Sequence, residues 1–400
     1  MHPAEEIKCS KSNVLLSKRI VLGITGSIAA VECVKLAREL IRHGAEVIPV
    51  MTHSATKIIH PDAIWFATGK KPIIELTGAT EHVAYCGRVK DPVDLLLICP
   101  STANTISKIS HGIDDTSVTT FVTTALGSGV PILVVPAMHL SMYDHKIIQK
   151  NIEECRKIGI KFIEPNIEKN KAKMPDLNEI LANVIKETGK KDLSGKKILI
   201  IGGPAAESMD DVRILTNRSS GKTAKMLAIH SFYRDATVEL WLGKRASEKV
   251  PENIKIKYFE SIKDLKELIE KNKINIFEAI IVCAAISDYV PKKQKGKIPS
   301  GKNDFTLELK PAPKLLPIIR KKAPKSKIIA FKVEDKKENV KKKSMELLKK
   351  NNLDFVAGNT ISAFEKGDNE LIIVNKKGKS IIKKGKKENL ANDIIDLIIQ

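Results

Sequence analysis

The sequence predicts an α/β protein made of two doubly wound, Rossmann-like domains. Runs of apolar and β-branched residues alternate with amphipathic stretches of helical length, which is typical of parallel sheets covered by helices. This alternation stops once, at the charged, glycine-bearing stretch 189–197, and then begins again. A chain of 400 residues is long enough to bury two cores. We therefore expect a first domain at 1–188, a linker at 189–197 and a second domain at 198–400.

The first half alternates strands and helices in chain order. The predicted strands read RIVLGIT, AEVIPVM, VDLLLICP, PILVVPA and the short IKFIEP, and their apolar runs favour burial within a sheet. The spacing of apolar residues predicts helices at 29–44, 103–112, 143–159 and 176–189.

The second half follows the same plan but shares no motif with the first. Its predicted strands read KILIIGGP, ATVELWLG, EAIIVCAA, SKIIAFKV and LDFVAGN, followed by a hairpin at 370–385. Helices are predicted at 220–235, 261–272, 313–323 and 336–352, and at the end of the chain. Ligands of doubly wound sheets bind beyond the carboxyl ends of the strands, so we expect one ligand site in each half.

The composition is that of a globular protein with a strongly basic charge. Hydrophobic residues make up 42%, charged residues 29% and aromatic residues 4%, and the formal net charge is +21. So few aromatic side chains do not favour the base-stacking surfaces that bind single-stranded nucleic acid. We interpret the lysines as solvated helix faces whose charge also favours phosphorylated ligands, and we do not expect nucleic acid as a partner.

The cysteines and the amino-terminal residues indicate in which compartment the protein is expected and which bound groups are not expected. The sequence has six cysteines without a C-x-x-C pair, and several lie in apolar segments. We therefore expect buried free thiols, and neither a disulfide framework nor a metal cluster. The first residues lack the apolar region of a signal peptide, and no run of eighteen apolar residues occurs. We expect a cytoplasmic protein with no membrane partner.

Four polar turns follow four successive strands of the first half. They read GITGSIAA at 23–30, THSA at 52–55, PSTANT at 100–105 and PAMHLSM at 136–142. Small residues at such positions let backbone N–H groups approach a phosphate, and the start of a helix favours negative charge. One such turn is weak evidence, but four at successive strand ends indicate a shared binding site.

These turns resemble those of the flavin-containing cysteine decarboxylases. From about residue 18 onward, the chain resembles the bifunctional phosphopantothenoylcysteine decarboxylase / phosphopantothenate–cysteine ligase family of coenzyme A biosynthesis, in an archaeal-like form. The resemblance implies a flavodoxin-like first domain that binds FMN at a subunit interface within trimers, with further assembly to a dodecamer. The residues that would line the flavin are Gly26, Ser27, Thr52, Ser54, Ser101, Ala103 and Asn104.

Two histidines are the catalytic candidates of the first half. His82, in TEHVAYCG, matches the catalytic histidine of the family, and histidine suits proton transfer because its ordinary pKa lies near neutral pH. The resemblance implies that the flavin oxidises the substrate's cysteine thiol to a thioaldehyde, that carbon dioxide leaves, and that hydride then returns. His139 stands where the family commonly has asparagine in P-A-M-N, so its imidazole would contact the substrate carboxylate.

Two loops also depart from the family pattern. The substrate-clamping flap of bacterial members carries a cysteine, whereas the corresponding stretch here, IEKNKAKMPDL, has none. No residue is therefore assigned to the flap chemistry. The segment from His82 to Pro100 is a few residues longer than usual, which we interpret as a longer loop.

The stretch Gly221-Lys222-Thr223 is not a phosphate-binding P-loop. That motif needs a glycine five positions before the Gly-Lys pair, and Thr216 stands there. The stretch belongs instead to GGPAAESMDDVRILTNRSSGKTA at 202–224. This segment resembles the ligase signature of the family, G-P-T-x-E-x-I-D-x-V-R-x-I-T-N-x-S-S-G-K-M-G.

The ligase resemblance implies that CTP activates phosphopantothenate as a cytidylate, which the amine of cysteine then attacks. Asn217 would hold the cytidylate, and Lys297 would promote the attack. Mg²⁺ would accompany the triphosphate with few protein ligands, and those ligands are not assigned. The nucleotide and its phosphates would be bound by Ser219, Ser220, Gly221, Lys222, Ala284, Asp288, Lys297, Phe331 and Asn359.

Four alternatives remain beside the synthesis of 4′-phosphopantetheine in two steps. The first half could perform other flavin chemistry such as prenyl transfer, although a complete ligase half argues against it. The chain could be a degenerate regulatory flavoprotein, but such a scaffold has no need of His82 and Asn217. A nucleic-acid binder has only the charge in its favour, and steep salt dependence would reveal it. The altered flap also allows an active ligase with a slow decarboxylase.

Overall fold

Two α/β units, Met1–Gly189 and Lys190–Gln400, make up the chain. The structure is a computed structural model that describes residues 2–246, 250–299, 306–360 and 368–400. Each unit is built on an open sheet whose central strands run parallel, so the predicted α/β class is confirmed.

A five-stranded parallel sheet organises the first unit. The strands of this unit are β1 (Arg19–Ile24), β2 (Glu46–Met51), β3 (Leu95–Ser101), β4 (Ile132–Pro136), β5 (Met138–His139), β6 (Lys161–Phe162), β7 (Asn166–Glu168) and β8 (Lys171–Lys173). The sheet has the order β2-β1-β3-β4-β6, and β5, β8 and β7 form a separate antiparallel sheet. Every residue of β3 and β4 is buried, as expected for strands covered on both faces. The order is flavodoxin-like, with its switch point between β1 and β3.

Amphipathic helices pack on this sheet. They are α1 (Pro3–Glu6), α2 (Cys33–Arg42), α3 (His53–Thr56), α4 (Pro61–Thr68), α5 (Glu81–Cys86), α6 (Ala103–Ser110), α7 (Ser117–Ser128), α8 (Leu140–Tyr143), α9 (Lys146–Lys157) and α10 (Leu177–Thr188). The helix α2 buries Leu36, Leu40 and their neighbours because these apolar residues recur at helical spacing. A 3₁₀ turn, Ile28–Glu32, leads into it. Gly129, with a left-handed φ of +83°, ends α7.

The second unit contains a larger sheet. Its strands are β9 (Lys197–Gly202), β10 (Ala206–Ser208), β11 (Ile214–Thr216), β12 (Thr237–Gly243), β13 (Lys255–Phe259), β14 (Ala279–Val282), β15 (Tyr289–Pro291), β16 (Leu309–Pro311), β17 (Lys327–Glu334), β18 (Phe355–Thr360), β19 (Asp368–Asn375) and β20 (Ser380–Lys386). The order is β13-β12-β9-β14-β17-β18-β19-β20, in which only β19 and β20 pair antiparallel with their neighbours among the described strands of this sheet. The switch point lies between β9 and β14.

Five helices, all found in the described part of the second unit, cover this sheet. They are α11 (Lys222–Tyr233), α12 (Ile262–Lys271), α13 (Leu315–Lys322), α14 (Lys337–Lys350) and α15 (Lys387–Ile399). The core between helices and sheet contains the fully buried Trp241 together with Phe259 and Ile280. The helix α12 begins at a reciprocal cap, in which Ser261 and Asp264 each bond the other's backbone N–H.

The stretch predicted as a linker packs within the second unit. Leu193 is fully buried, and its N–H donates to the carbonyl of Arg234 at 3.1 Å. The guanidinium of Arg234 donates to both oxygens of Asp192 at 2.9 and 2.7 Å, and to Asp396 on α15 at 2.6 Å. The hydrogen bonds from Arg234 lower the pKa of Asp192. Through Arg234, the first residues of this unit are thus linked by hydrogen bonds to its last helix, α15.

The predicted strands and helices are present, with ends shifted by a few residues. The sequence analysis missed α4, α5 and α7 and the edge strand β13, where Lys255 and Lys257 alternate with apolar residues. The cysteines are free thiols, four of them buried, as predicted. No helix in the described ranges is both long and apolar enough to cross a bilayer.

We predict that Leu193→Ala lowers the free energy of unfolding of the second unit by about 2–5 kcal/mol, because a buried side chain is removed from a packed site. In a Trp65→Phe background, the fluorescence of Trp241 reports the unfolding of this unit alone, since the chain has two tryptophans. Val212→Ala, at a side chain that is 66% exposed, is the control and should change stability by less than about 0.5 kcal/mol. An unchanged midpoint for Leu193→Ala would show that this stretch is a loose linker.

Candidate functional site

The polar turns of the first unit meet at the switch point between β1 and β3. Thr25 directly follows β1 and is buried. Its Oγ1 donates to the carbonyl of Pro100 at 2.9 Å and accepts from the N–H of Thr102 at 3.1 Å. The N–H of Thr52 donates to the carbonyl of Ile24 at 3.0 Å. The turns after β1, β2 and β3 are therefore joined by hydrogen bonds.

The turn after β4 is joined to the same group. The N–H of Ala137 donates to the carbonyl of Ser101 at 3.0 Å, and Oγ of Ser27 donates to the carbonyl of Ala137 at 3.0 Å. Gly26 lies so close to α3 that a Cβ added to it would stand 2.5 Å from Cβ of Ser54, a separation that side chains do not adopt. All four turns that carry the predicted ligand residues are thus brought together at one edge of the sheet.

Three buried polar side-chain atoms of this unit have no hydrogen-bond partner among the residues that the structure describes. They are Oγ of Ser101, a residue with no exposed surface, Nδ1 of His82 and Nη1 of Arg38. An unpaired buried polar group costs on the order of 1–3 kcal/mol, so it indicates an absent partner. Ser101 lies within the joined turns, where a polar group of a ligand would satisfy it. Beside it, Ala103 is buried and Asn104 is exposed at the start of α6.

The two catalytic candidates of this unit lie on separate elements. His82 is half-buried on α5, which packs against α7 through the stacked rings of Tyr85 and Phe121. Over residues 2–189, no side-chain hydrogen bond joins His82 to the four turns. His139 is exposed within the turn after β4, where it pairs in antiparallel register with Lys171. The flap without cysteine is thus a hairpin, β7–β8, bonded to the strand of His139.

In the second unit, the loops after β9 and β14 meet at the corresponding switch point. The N–H of Ala205 donates to the carbonyl of Ala285 at 3.1 Å, and the N–H of Ala285 donates to the carbonyl of Gly203 at 3.0 Å. Nδ2 of Asn217 donates to the carbonyl of Ala285 at 2.5 Å. Its Oδ1 accepts from the N–H of Ser219 at 3.2 Å. Asn217 therefore fastens the signature loop to the β14 turn.

The helix α11 begins at the Ser-Ser-Gly-Lys stretch without a side-chain cap. Gly221 occupies its N-cap with a left-handed φ of +80°, and a Cβ there would stand 2.7 Å from Cβ of Ala246. Ser220 and Lys222 are exposed at the same helix start. The N–H of Lys222 donates to Oγ of Ser220 at 3.4 Å. The N–H groups that follow it and the helix dipole favour an anionic group at this position.

The other nucleotide candidates follow the next strands of the sheet. Ala284 is half-buried after β14, and the exposed Asp288 further along the same loop forms an ion pair with Lys314. Phe331 and Asn359 lie on the paired strands β17 and β18. Oδ1 of Asn359 is buried and has no partner within the described part of the chain. This side of the sheet thus presents an ion pair next to the β14 loop and a free acceptor on β18.

Lys297 is exposed on a segment whose backbone is held by two neighbouring carboxylates. Asp211 accepts from the N–H of Gly296, and Asp210 accepts from the N–H of Ile298, each at 2.9 Å. Asp210 is buried, and hydrogen bonds from backbone N–H groups, that of Ile298 foremost, lower its pKa to about 2. The stabilising carboxylate form is therefore fully present above the ordinary pKa of an aspartate and is lost only as the pH falls towards 2.

The sequence analysis missed Thr25 and Asp210 as organising residues. Both stood in stretches that were singled out, GITGSIAA and the ligase signature, but their partners lie far along the chain. In the described ranges, no group of three His, Cys, Asp or Glu side chains could hold a metal ion. Cys283 also lies beside the β14 turn, where burial raises the pKa of its thiol to about 12.

The two switch points define the class of this protein, a flavodoxin-like domain fused to a Rossmann-like domain with a helix start suited to phosphate. Residues 8–189 match the family model described as Flavoprotein, and residues 193–400 match the DNA/pantothenate metabolism flavoprotein C-terminal domain. The chain belongs to the family of coenzyme A biosynthesis bifunctional proteins. It is an enzyme with a flavoprotein decarboxylase domain and a ligase domain, so the expectation from the resemblance is confirmed.

Two full-length relatives support this assignment. The chain is 42% identical over 403 residues to the coenzyme A biosynthesis bifunctional protein CoaBC of Thermococcus kodakarensis, covering 100% of this chain and 99% of that protein. It is 37% identical over 402 residues to the CoaBC of Methanocaldococcus jannaschii, covering 97% and 95%. A solved structure of the DNA/pantothenate metabolism flavoprotein from Streptococcus pneumoniae is 25% identical, covers 51% of this chain and 99% of its own, and has a TM-score of 0.47.

We predict that Gly26→Ala strongly reduces the flavin that purifies with the protein, because the added Cβ would collide with Ser54 and displace the turn after β1. The ratio of visible flavin absorbance to protein absorbance measures the effect. Gly127→Ala is the matched control, since a Cβ there meets open space on α7 and alanine favours a helix. Full flavin content in Gly26→Ala would contradict the close approach of these two turns.

Proposed function

We propose that this enzyme makes 4′-phosphopantetheine from 4′-phosphopantothenate and cysteine, with one step in each unit. The second unit would join the two substrates at the expense of CTP, and the first would decarboxylate the product with FMN. The observation that carries the proposal is the pair of fastened switch points. Thr25 in one unit and Asn217 in the other bond the ligand-binding turns to one another.

In the ligase step, CTP would convert the carboxylate of phosphopantothenate into a cytidylate with loss of pyrophosphate. The amine of cysteine would then displace CMP. We assign to Asn217 the task of holding the cytidylate, because one hydrogen of its Nδ2 remains to donate after the bond to Ala285. The uncapped start of α11 would bind phosphate through Ser219, Ser220, Gly221 and Lys222.

The nucleotide would extend along the carboxyl ends of β14, β17 and β18. Ala284, Asp288 and Phe331 would contact the cytidine. The free Oδ1 of Asn359 offers an acceptor that the amino group of cytosine would satisfy. Lys297 would bring a positive charge to the activated carboxyl group, where charge develops as cysteine attacks.

In the decarboxylase step, the residues of the first switch point fit a flavin nucleotide. Gly26 leaves room for close approach, and Ser101 has an unsatisfied hydroxyl. Gly26, Ser27, Thr52, Ser54, Ala103 and Asn104 would surround its phosphate and ring. A bound FMN supplies the two-electron redox chemistry that the reaction needs. His82 would exchange protons with the substrate through its unpaired Nδ1, and His139 would hold the substrate carboxylate.

The proposal includes partners and assembly. Mg²⁺ would enter with the triphosphate of CTP and keep most of its waters, and no step assigned above runs through it. Trimers, associating further to a dodecamer, would place the flavin between two copies. Such an interface would let His82, which is not bonded to the turns of its own chain, reach the flavin of a neighbour. We expect the enzyme in the cytoplasm, with neither nucleic acid nor membrane as a partner.

We predict that the purified protein, given phosphopantothenate, cysteine, CTP and Mg²⁺, produces phosphopantetheine, CMP and carbon dioxide. Mass spectrometry of the products distinguishes the outcomes. Accumulation of phosphopantothenoylcysteine would support the ligase activity but would contradict the roles of His82 and His139 in decarboxylation. An absence of turnover in a preparation that retains flavin would instead favour a regulatory flavoprotein.

We predict that two variants separate the two activities. His82→Gln should lose decarboxylation by roughly 100-fold or more while it still forms phosphopantothenoylcysteine, because only the proton-transfer group is removed. Asn217→Asp should lose ligation by roughly 100-fold or more, since the carboxylate cannot donate to the cytidylate. The second variant should still decarboxylate supplied phosphopantothenoylcysteine, so each serves as the other's control. Loss of both activities in either variant would contradict this division.

A further inference from the structure

We propose that Asp210 is a positioning residue for the ligase step, which holds the backbone of the Lys297 segment through the N–H of Ile298. The inference rests on the proposed function, because it depends on the role assigned to Lys297 there. Asp210 itself would touch neither substrate nor nucleotide.

Both oxygens of the Asp210 carboxylate are fully engaged. Oδ1 accepts from the N–H groups of Val212 and Arg213 at 2.7 and 2.5 Å. Oδ2 accepts from the N–H of Ile298 at 2.9 Å and from Nη1 of Arg213 at 3.2 Å. The residue is only 2% exposed. A buried carboxylate with four donors fixes the relative position of the two loops that supply them.

Other bonds hold the same segment on both sides of Lys297. Nη1 of Arg213 donates to the carbonyl of Ile298 at 3.0 Å. On the other side of Lys297, two hydrogen bonds join Asp211 to the backbone of Gly296. The N–H of Asp211 donates to the Gly296 carbonyl at 3.2 Å, and the side-chain Oδ2 of Asp211 accepts from the Gly296 N–H at 2.9 Å. The neighbours of Lys297 are thus anchored, whereas its own side chain is exposed.

This arrangement suits a lysine that must deliver its charge to one place. A lysine side chain is long and flexible, so a fixed backbone restricts the volume that its ammonium group samples. The loop of Asp210 continues through β11 to Asn217, which is fastened to the carbonyl of Ala285. One loop therefore sets the positions of both Lys297 and Asn217.

The carboxylate at position 210 cannot be replaced by its amide without loss. In Asp210→Asn, one oxygen becomes an NH₂ group that faces N–H donors in either orientation. Placed at Oδ2, it opposes the N–H of Ile298 and the guanidinium of Arg213; placed at Oδ1, it opposes two N–H groups of its own loop. The side chain keeps its size, so the change acts on these bonds.

The test separates the two halves of the ligase reaction in the full-length enzyme. Pyrophosphate release from CTP and phosphopantothenate, without cysteine, reports activation. CMP release after the addition of cysteine reports amide formation. Lys297→Gln first establishes which half-reaction depends on this lysine. We expect Asp210→Asn to slow that same half-reaction by roughly 10- to 100-fold, because a displaced backbone misplaces the charge.

A double variant distinguishes positioning from a general loss of structure. If Asp210 acts through Lys297, the variant with both substitutions should be no slower than Lys297→Gln alone. Lys295→Gln, at an exposed lysine of the same segment, is the matched control and should leave both half-reactions unchanged. The proposal would be overturned if the rate losses of Asp210→Asn and Lys297→Gln multiplied in the double variant. It would also be overturned if Asp210→Asn slowed the half-reaction that does not depend on Lys297.

A second variant decides the matter if Asp210→Asn fails to fold. Asp211→Ala removes the side-chain acceptor of the Gly296 N–H, and the Asp211 side chain is 52% exposed, so folding should be retained. It must slow the half-reaction that depends on Lys297, by a smaller factor, or the proposal falls. Unchanged rates in Lys297→Gln would refute the role assigned to that lysine instead, and an inactive parent enzyme would refute the proposed ligase function.

Discussion

The mutual hydrogen bonding of loops at a switch point is the constraint on which the rest of this structure depends. At such a point, the connections from neighbouring parallel strands leave in opposite directions, and their first residues must pair with each other or with a ligand. Oγ1 of Thr25 meets this need in the first unit, where it bonds the chain on both sides of Ser101. In the second unit, Ala205 and Ala285 do so through their backbones. The turns that carry Ser101 in the first unit and Asn217 in the second are positioned by these bonds.

The two units meet the same constraint with different chemistry. In the first, the residue that fastens the turns is buried and satisfied, while the neighbouring Ser101 keeps an unsatisfied hydroxyl. At the turn after β3, joining the loops and binding the ligand are therefore divided between Thr25 and Ser101. In the second unit, Asn217 both joins the two loops and is the proposed ligand-binding group. Its amide has enough donors and acceptors to bond Ala285 and Ser219 and still donate to a ligand. A substitution there affects loop position and binding together.

The elements that the sequence predicted are those whose periodicity is local. Strands such as β3 are apolar throughout, and helices such as α2 bury one stripe. The helix α7 was missed because its sequence, SVTTFVTTALGS, is rich in valine and threonine, and packing in the fold overrides their preference for strands. Leu193 was overlooked among charged neighbours, although its burial makes the supposed linker part of the second unit.

The site was predictable as a set of motifs but not as a set of contacts. Each of the four turns, like the ligase signature, is a continuous stretch of sequence, so the sequence analysis recognised them. The bond from Thr25 to Pro100 spans 75 residues, and that between Asp210 and Ile298 spans 88. No local pattern encodes which of several polar residues in a motif will meet a partner so far away. That choice depends on the order of strands in the sheet.

The burial of several cysteines has a consequence for the proposed reaction, in which the substrate and the products are themselves thiols. Burial raises the pKa of Cys86 and of Cys283 to about 12, and that of Cys155 to about 11. Thiol–disulfide exchange requires a thiolate, and these groups stay protonated at neutral pH. These three thiols are thus unreactive in disulfide exchange, whereas the proposed ligands carry thiols that can react. Oxidised cysteine in the surroundings finds few partners here for a mixed disulfide.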